Sequence, residues 1–285
     1  MRNDTRQTGQ FNSNSKRTFR QKPNSSWQNV GDWYHKLVGS AGHYYHQHTI
    51  LPYLKQNWPI KPGESILDLG CGQGVFARFL DNWLDNYIYV GVDLAENLLA
   101  QAKSALKNSQ KSHYFFKSNA ARPLEKILQP TLDLAKIKKF DKIICLLALQ
   151  NMSNGAGCID NIGKLLKTTG NAVLIINHPC FRVPRQSGWE VNLNNKSQQR
   201  WISHYLTSIK IPIISNPGEE NSPVTWSYHH SLQDYSGWFS DAGLTIEKIA
   251  ELTSDKQSQG KMAKSENRGR AEIPLFMAIH LRKVG

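Results

Sequence analysis

The chain has 285 residues, of which 39% are hydrophobic and 20% are charged, a composition typical of a soluble globular protein. No apolar run reaches the roughly 18 residues that a membrane-spanning helix needs, and the first residues lack the apolar core of a secretory signal. We therefore expect a cytoplasmic protein with no membrane partner. The four cysteines are scattered without a C-x-x-C pair, which argues against a disulfide framework or a zinc site.

The net charge of +13 suits a protein with an anionic partner, such as RNA. A large part of the excess lies in residues 1–28, a stretch rich in Asn, Gln, Ser and Thr that has no hydrophobic periodicity. We predict that this stretch is a disordered basic tail and that residues 29–285 form one domain. The tail is either simply solvated or a non-specific contact for RNA.

Apolar runs and helical patterns then alternate as they do in βαβ proteins. An aromatic helical segment at 31–54 comes first. Nearly continuous apolar runs are typical of strands buried in a parallel sheet. Five such strands are predicted at 65–70, 87–93, 113–119, 141–149 and 171–178, with helices at 74–84, 95–107 and 157–170, the last ending at Gly170.

The alternation breaks after the fifth strand. Residues 179–230 contain five prolines and many aromatic residues, so we predict an insertion that forms a lid. Regular patterns resume with a helix at 232–243, a strand at 244–252, a polar basic loop at 253–270 and a strand at 274–283. The last two strands have no helix between them and are expected to form an antiparallel hairpin. The predicted fold class is α/β, with a doubly wound, seven-stranded, mostly parallel sheet.

Three glycines stand between the first strand and its helix, in the sequence SILDLGCGQGVFARFL. In open α/β sheets a ligand binds at this edge, where backbone N–H groups and a helix N-terminus approach its anionic groups. A dinucleotide fingerprint would need Gly or Ala at position 75, where this chain has Val75. A carboxylate, Asp93, closes the second strand, where it can accept hydrogen bonds from both hydroxyls of a ribose.

These features together resemble the class I S-adenosylmethionine-dependent methyltransferases. The similarity includes LDLGCGQG, the acidic residue ending the second strand, Asn119–Ala120 after the third and FDKIICLLALQNM around the fourth, and it extends from Ser65 to Lys283. It implies a Rossmann-like methyltransferase fold with S-adenosylmethionine as cofactor. The glycine turn would hold the methionine end of the cofactor and Asp93 the ribose. The implied cofactor-binding residues are Asp68, Gly70, Cys71, Gly72, Gly74, Asp93, Leu94, Asn119 and Ala120.

Asn119 occupies a place where this family often has an Asp facing the adenine amino group. An amide oxygen can accept the same hydrogen bond. The run INHPCFRVPRQSGW after the fifth strand is similar to a bacterial subgroup described as type 11-like, together with TWSYHHSLQDYSGWF and ENRGRAEIPLFMAIHLRK. The methyl acceptor of that subgroup is not implied by the resemblance.

Two regions are candidates for the acceptor site. His178 directly follows the fifth strand, and His178, His229 and His230 are candidate general bases, although a structural hydrogen bond in a loop is at least as good an explanation for each. Arg182 and Arg185 are candidates for binding an anionic acceptor. Tyr45, in the aromatic segment, is a candidate for facing the cationic sulfonium or the acceptor, or it packs the segment on the sheet. The nearby His43, His46 and His48 do not share one helical face, so no metal site is predicted.

The sequence therefore predicts an enzyme that transfers a methyl group from S-adenosylmethionine in line to a small-molecule acceptor. Two alternatives stay open. One is an RNA methyltransferase that uses the basic tail and the loop at 253–270. The other is a non-catalytic protein that binds S-adenosylmethionine. The oligomeric state is not predicted.

Overall fold

The structure is a computed structural model, and it describes residues 26–39, 41–192, 197–215 and 222–284. Residues 1–25 of the predicted tail lie outside the described residues. Ser26–Asn29 form a 3₁₀ turn, and the ring of Trp27 packs edge-on against Tyr34 with their centroids 5.4 Å apart. The last residues of the predicted tail therefore belong to the folded domain.

The aromatic segment is helical, as predicted, but it is broken in the middle. Helix α1 spans Gly31–Val38, and a π-helical turn at His46–Ile50 runs directly into α2, Leu51–Asn57. Gly39 and Gly42 between them have φ angles of +67° and +95°, in the left-handed region that ends a right-handed helix.

The α/β core follows. Its strands are β1 (Ser65–Leu69), β2 (Ile88–Asp93), β3 (Ser112–Lys117), β4 (Phe140–Leu146) and β5 (Leu166–Asn177). Its helices are α3 (Val75–Asp81), α4 (Glu96–Ala105), α5 (Glu125–Leu134) and α6 (Gly155–Leu165). Helix α5, which contains Pro130, lies in a stretch for which the sequence predicted no element.

The predicted helix at 157–170 ends earlier than expected. Helix α6 ends at Leu165, and β5 starts at the next residue and continues through Gly170. A Cβ atom at Gly170 would lie 2.7 Å from the carbonyl oxygen of Asp141. This glycine therefore allows β5 to approach β4 closely and does not cap a helix.

The segment predicted as a lid contains two antiparallel hairpins. Strands β6 (Ser187–Asn192) and β7 (Ser197–Ile202) form the first, and β8 (Ile209–Ile214) and β9 (Val224–His229) form the second. The chain then returns through α7 (Leu232–Asp241), β10 (Leu244–Leu252), α8 (Ala263–Glu272) and β11 (Phe276–Lys283). Helix α8 lies in the region predicted to be a loop, so that prediction was wrong there.

The seven-stranded sheet has the order β10-β11-β5-β4-β1-β2-β3, in which β11 is antiparallel to both of its neighbours. The predicted fold class is confirmed. Helices α5, α6 and α7 pack on one face of the sheet, and α2 and α3 pack on the other. The strand order reverses between β1 and β4, so the carboxyl ends of these strands flank a crevice where open α/β sheets bind ligands.

Candidate active site

The glycine turn after β1 has the backbone conformation that its sequence requires. Gly70, Gly72 and Gly74 have φ angles of +81°, +52° and +77°. A Cβ atom at Gly70 would lie 2.4 Å from Cβ of Ala148, whereas at Gly72 the nearest atom would be 4.0 Å away, on Leu98. Gly70 thus allows close packing, and Gly72 presents bare backbone to open space.

Asp93 ties the end of β2 to this turn. Its carboxylate accepts hydrogen bonds from the backbone N–H groups of Gly72 and Ala95, both at 2.8 Å. Burial raises the pKa of Asp93. Each carboxylate oxygen has a second lone pair, so the group can still accept hydrogen bonds from a ligand.

Three of the predicted cofactor residues support the turn from behind. The Asp68 carboxylate is buried and accepts a hydrogen bond of 2.6 Å from the Tyr89 hydroxyl, while burial raises its pKa to about 7. Burial also raises the pKa of the Cys71 thiol. A Cβ atom at Gly74 would lie 2.9 Å from Ala102 on α4, so this glycine brings α3 and α4 together.

A cavity of about 490 Å³ opens at the carboxyl ends of the central strands, and we call it the central cavity. One end of its wall consists of predicted cofactor residues, namely Gly70, Gly72, Asp93, Leu94, Asn119 and Ala120. The Asn119 side-chain oxygen accepts a hydrogen bond from the N–H of Ala121 at 2.9 Å and retains one lone pair. The volume falls within the range of about 300–1,000 Å³ that is usual for small-molecule sites.

The segment after β4 forms the floor of the central cavity. Leu147 has a φ angle of +51°, and its carbonyl accepts hydrogen bonds from the side-chain amides of Gln150 and Asn151 at 2.9 and 3.2 Å. Both amides lie in the cavity wall. A non-glycine residue in the left-handed region is typical of strained positions at functional sites.

The aromatic segment covers the cavity, and the structure places Tyr45 in its wall together with Tyr34 and Trp27. Burial and the neighbouring Asp93 raise the pKa of Tyr34 to about 12, so this phenol stays protonated beside the carboxylate. Trp27 was not predicted as part of the site, because it lies in the stretch 1–28 that was predicted to be a tail.

The second hairpin of the lid supplies Trp226 and Tyr228 to the same wall. Both lie on one face of β9, because side chains two residues apart in a strand share a face. Thr225, Ser227 and His229 are on the opposite, buried face. Neither aromatic residue was predicted to line the site, although the alternation of residues in TWSYH indicates a strand with these two side chains on one face.

In the described part of the chain, none of the three histidines predicted as general bases lines the central cavity. His178 is 2% exposed, its Nε2 donates to the Glu251 carboxylate at 2.8 Å, and its Nδ1 accepts from the N–H of Cys180 at 3.3 Å. His229 donates through Nε2 to the carbonyl of Tyr205 at 2.7 Å. These bonds correspond to the structural explanation, and neither imidazole lines the central cavity, so the catalytic role stays a prediction.

His230 is held by its neighbours in a similar way. Its Nδ1 lies 3.3 Å from the Ser208 hydroxyl, and its ring packs edge-on against Trp238 with centroids 4.7 Å apart. It does not line the central cavity.

The two arginines that were predicted to bind an anionic acceptor lie in different places. Arg182 lies in the wall of the central cavity, whereas Arg185 is exposed outside it and has a φ angle of +60°.

His43 and His46 are the histidines that the structure does place in the cavity wall. Burial lowers the pKa of His46 to about 4, so its imidazole is neutral near pH 7. Its Nδ1 atom is buried and has no hydrogen-bond partner among the described residues. The π-helical turn that begins at His46 is itself a feature found frequently at functional sites.

We expect His46 to make the fold sensitive to acid. Its folded-state pKa lies below the ordinary value of 6.5, so the unfolded chain binds a proton that the folded chain excludes, and stability falls as pH drops from 6.5 towards 4. Between pH 7 and pH 5 the free energy of unfolding should fall by roughly 2 kcal/mol more in the unmodified chain than in His46→Gln. Urea titrations at both pH values measure this difference. The exposed His48, changed to Gln, is the control and should keep the loss seen in the unmodified chain. An equal loss in His46→Gln would contradict the prediction.

The described ranges contain no cluster of three or more His, Cys, Asp or Glu side chains arranged to hold a metal ion. Nor do they contain a helix with the length and apolar character needed to cross a bilayer.

Comparison with known proteins identifies the class. The family model described as "Methyltransferase domain" matches residues 60–225. A Geobacillus sp. (strain WCH70) protein whose name calls it a methyltransferase is 24% identical over 253 residues, covering 82% of this chain and 95% of that protein. The mitochondrial ubiquinone biosynthesis O-methyltransferase of Dictyostelium discoideum is 26% identical over 119 residues, covering 42% of this chain and 37% of that protein. The crystal structure of an S-adenosylmethionine-dependent methyltransferase from Mesorhizobium loti has the same fold, with a TM-score of 0.59, 21% identity and coverage of 81% of this chain and 96% of that one.

The sheet order, the glycine turn after β1 and the carboxylate at the end of β2 agree with the class I S-adenosylmethionine-dependent methyltransferases. The chain belongs to the methyltransferase-domain family, because its model matches more than half of the residues. S-adenosylmethionine is accordingly the cofactor, as the sequence analysis predicted. The type 11-like subgroup stays a prediction.

Proposed function

We propose that this methyltransferase acts on a small-molecule acceptor, which binds in the central cavity next to the cofactor. The cofactor would lie at the Gly72 and Asp93 end of the cavity and the acceptor under the lid. When bound, S-adenosylmethionine supplies a methyl group on a positively charged sulfur that a nucleophile can attack. The protein's own contribution is to bind, to align and to exclude water.

The cofactor end of the cavity fits a nucleoside with an amino-acid tail. Gly72 leaves open the space that a Cβ atom would fill, which suits close approach of a ligand to the backbone. Asp93 has acceptor capacity left for ribose hydroxyls, and the backbone around Asn119 and Ala120 borders the space next to it. These three features support the predicted roles of these residues.

The placement of Trp226 and Tyr228 is the observation that carries the proposal of a small acceptor. Both come from the lid, yet they share one cavity with Gly72 and Asp93. Aromatic side chains that cover a pocket of this size suit a ligand that is mostly enclosed by protein. The name of the Dictyostelium relative, an O-methyltransferase of ubiquinone biosynthesis, agrees with a small acceptor. The RNA alternative depends instead on basic residues within 1–28 and 253–270.

A simple labelling experiment tests the proposal. The full chain is incubated with S-adenosylmethionine carrying a labelled methyl group, once with a low-molecular-mass metabolite extract and once with total RNA. We expect label in the metabolite fraction. Label confined to RNA would contradict the proposal and favour the alternative. S-adenosylhomocysteine binding without label in either fraction would favour a non-catalytic binding protein.

Trp226→Ala should separate acceptor binding from cofactor binding. Loss of a large aromatic contact of about 1.5–3 kcal/mol should lower methyl transfer at limiting acceptor by about 10- to 100-fold. Affinity for S-adenosylhomocysteine, measured by calorimetry, should stay within about threefold. Trp189→Ala removes a partly exposed tryptophan of the first hairpin outside the cavity and is the matched control. Equal activity of the two variants would place the acceptor elsewhere.

A further inference from the structure

Arg182 is a cation in the wall of the central cavity, just after β5. Its backbone N–H donates to the carbonyl of His178 at 2.8 Å, which anchors the residue at the base of the lid. Its Nη1 atom donates to the side-chain oxygen of Asn177 at 2.9 Å, and the guanidinium lies 5.3 Å from the ring centroid of Phe276. A guanidinium has five N–H donors, so these contacts leave it donors for a ligand.

The Arg182 guanidinium is largely removed from water. Burial lowers its pKa, the neighbouring Tyr45 hydroxyl acts in the opposite direction, and the positive charge of Arg200 lowers the pKa further. Within the described ranges no carboxylate lies within ion-pairing distance of this guanidinium. Cations that are largely removed from water are normally paired with an anion, because desolvation is costly. The positive charge of Arg182 is therefore available to pair with an anionic group of a ligand.

Several aromatic residues line the same cavity as Arg182. Tyr45 packs edge-on against Phe276, and Trp226 and Tyr228 belong to the same wall. Asp93 is the acidic residue of the wall, and it is bonded to the glycine turn at the cofactor end. The geometry thus combines one unpaired cation with several aromatic faces.

We propose that the acceptor is a small organic anion, with a carboxylate or phosphate group that pairs with Arg182 and an apolar or aromatic body that packs against Phe276 and Trp226. This inference rests on the proposed function, because it names the class of acceptor for the same site. Guanidinium groups bind both carboxylate and phosphate through bidentate hydrogen bonds.

Binding of matched probes tests the proposal without a known substrate. The full chain, saturated with S-adenosylhomocysteine, is titrated calorimetrically with 4-hydroxybenzoate, with 4-hydroxybenzamide and with phenyl phosphate. The benzoate and the benzamide have nearly the same shape and differ in charge. We expect at least one anion to bind about 10- to 100-fold more tightly than the neutral amide, as for a charge-assisted hydrogen bond. The stronger of the two anions identifies the preferred group.

Arg182→Met should abolish this preference, and Arg200→Met is its matched control. Arg200 is another arginine of the lid, and it donates to the Phe181 carbonyl and the Ser187 hydroxyl, both at 2.8 Å. We expect Arg200→Met to lower the melting temperature and to keep the preference for the anion. Without ligand, Arg182→Met should melt within about 2 °C of the unmodified chain or above it, because it removes an unpaired cation.

Equal binding of the three probes, or no saturable binding of either anion, would overturn the proposal. A preference for the anion that survives in Arg182→Met would overturn it as well. If Arg182→Met also lost affinity for S-adenosylhomocysteine, the arginine would serve the cofactor and the acceptor assignment would be wrong. Failure of the unmodified chain to bind S-adenosylhomocysteine would instead refute the proposed function, and this is measured separately.

Discussion

Asp93→Ala should lower the affinity for S-adenosylhomocysteine by about 10²- to 10⁴-fold, because the two charge-assisted hydrogen bonds that we propose between Asp93 and the ribose would contribute about 1.5–3 kcal/mol each. The same carboxylate also accepts the N–H groups of Gly72 and Ala95, so its loss loosens the turn that faces the ligand. Calorimetric titration of the folded variant measures the effect.

Glu96→Ala is the control for Asp93→Ala. Glu96 lies three residues further along, is exposed, and pairs with Lys117 at 2.5 Å. Because this carboxylate does not line the central cavity, its removal should leave the affinity within about twofold. An unchanged affinity in folded Asp93→Ala would show that the ribose binds elsewhere.

Gly72→Ala should also lower the affinity for the cofactor strongly. The substitution places a methyl group in the open space that we assign to the cofactor, and overpacking of this kind costs about 1–3 kcal/mol, or roughly 5- to 150-fold in affinity. The φ angle of +52° adds backbone strain of about 1–2 kcal/mol to the folded state. We therefore expect a folded, somewhat destabilised protein with weak cofactor binding.

Gly63→Ala separates strain from ligand contact. Gly63 also has a positive φ angle, +86°, and a Cβ atom there would meet no atom within 4 Å. It lies outside the cavity, so the variant should lose a similar amount of stability and bind S-adenosylhomocysteine normally. Denaturant unfolding and calorimetry on both variants provide the comparison. Equal affinity of the two variants would show that the cofactor does not approach Gly72.

His46 and Arg182 show that residues of one cavity come from distant parts of the chain. His46 belongs to the aromatic segment before β1, and Arg182 to the lid after β5. Arg182 was a candidate for binding an anion from the sequence, whereas no motif marked His46. Their positions follow from how the segment and the lid pack over the same edge of the sheet.

The sequence by itself determined the features that depend on residues close together in the chain. The five core strands were predictable because apolar runs of this length suit a buried parallel sheet. The antiparallel terminal pair was predicted as well, although helix α8 lies between its strands where a loop was expected. The turn at Gly70, Gly72 and Gly74 was predictable because left-handed backbone strongly favours glycine. Asp93 followed from its place at the end of β2, where the chain must reach the carboxyl edge of the sheet.

The tertiary structure alone decided which side chains face the cavity. His229 and Trp226 lie on the same strand, and the packing of β9 buries the histidine and places the tryptophan in the wall of the central cavity. From the sequence, His178 was a candidate either for a general base or for a structural hydrogen bond, and its partner Glu251 is 73 residues away. Such choices depend on contacts between residues far apart in the chain, which local propensity and periodicity do not contain.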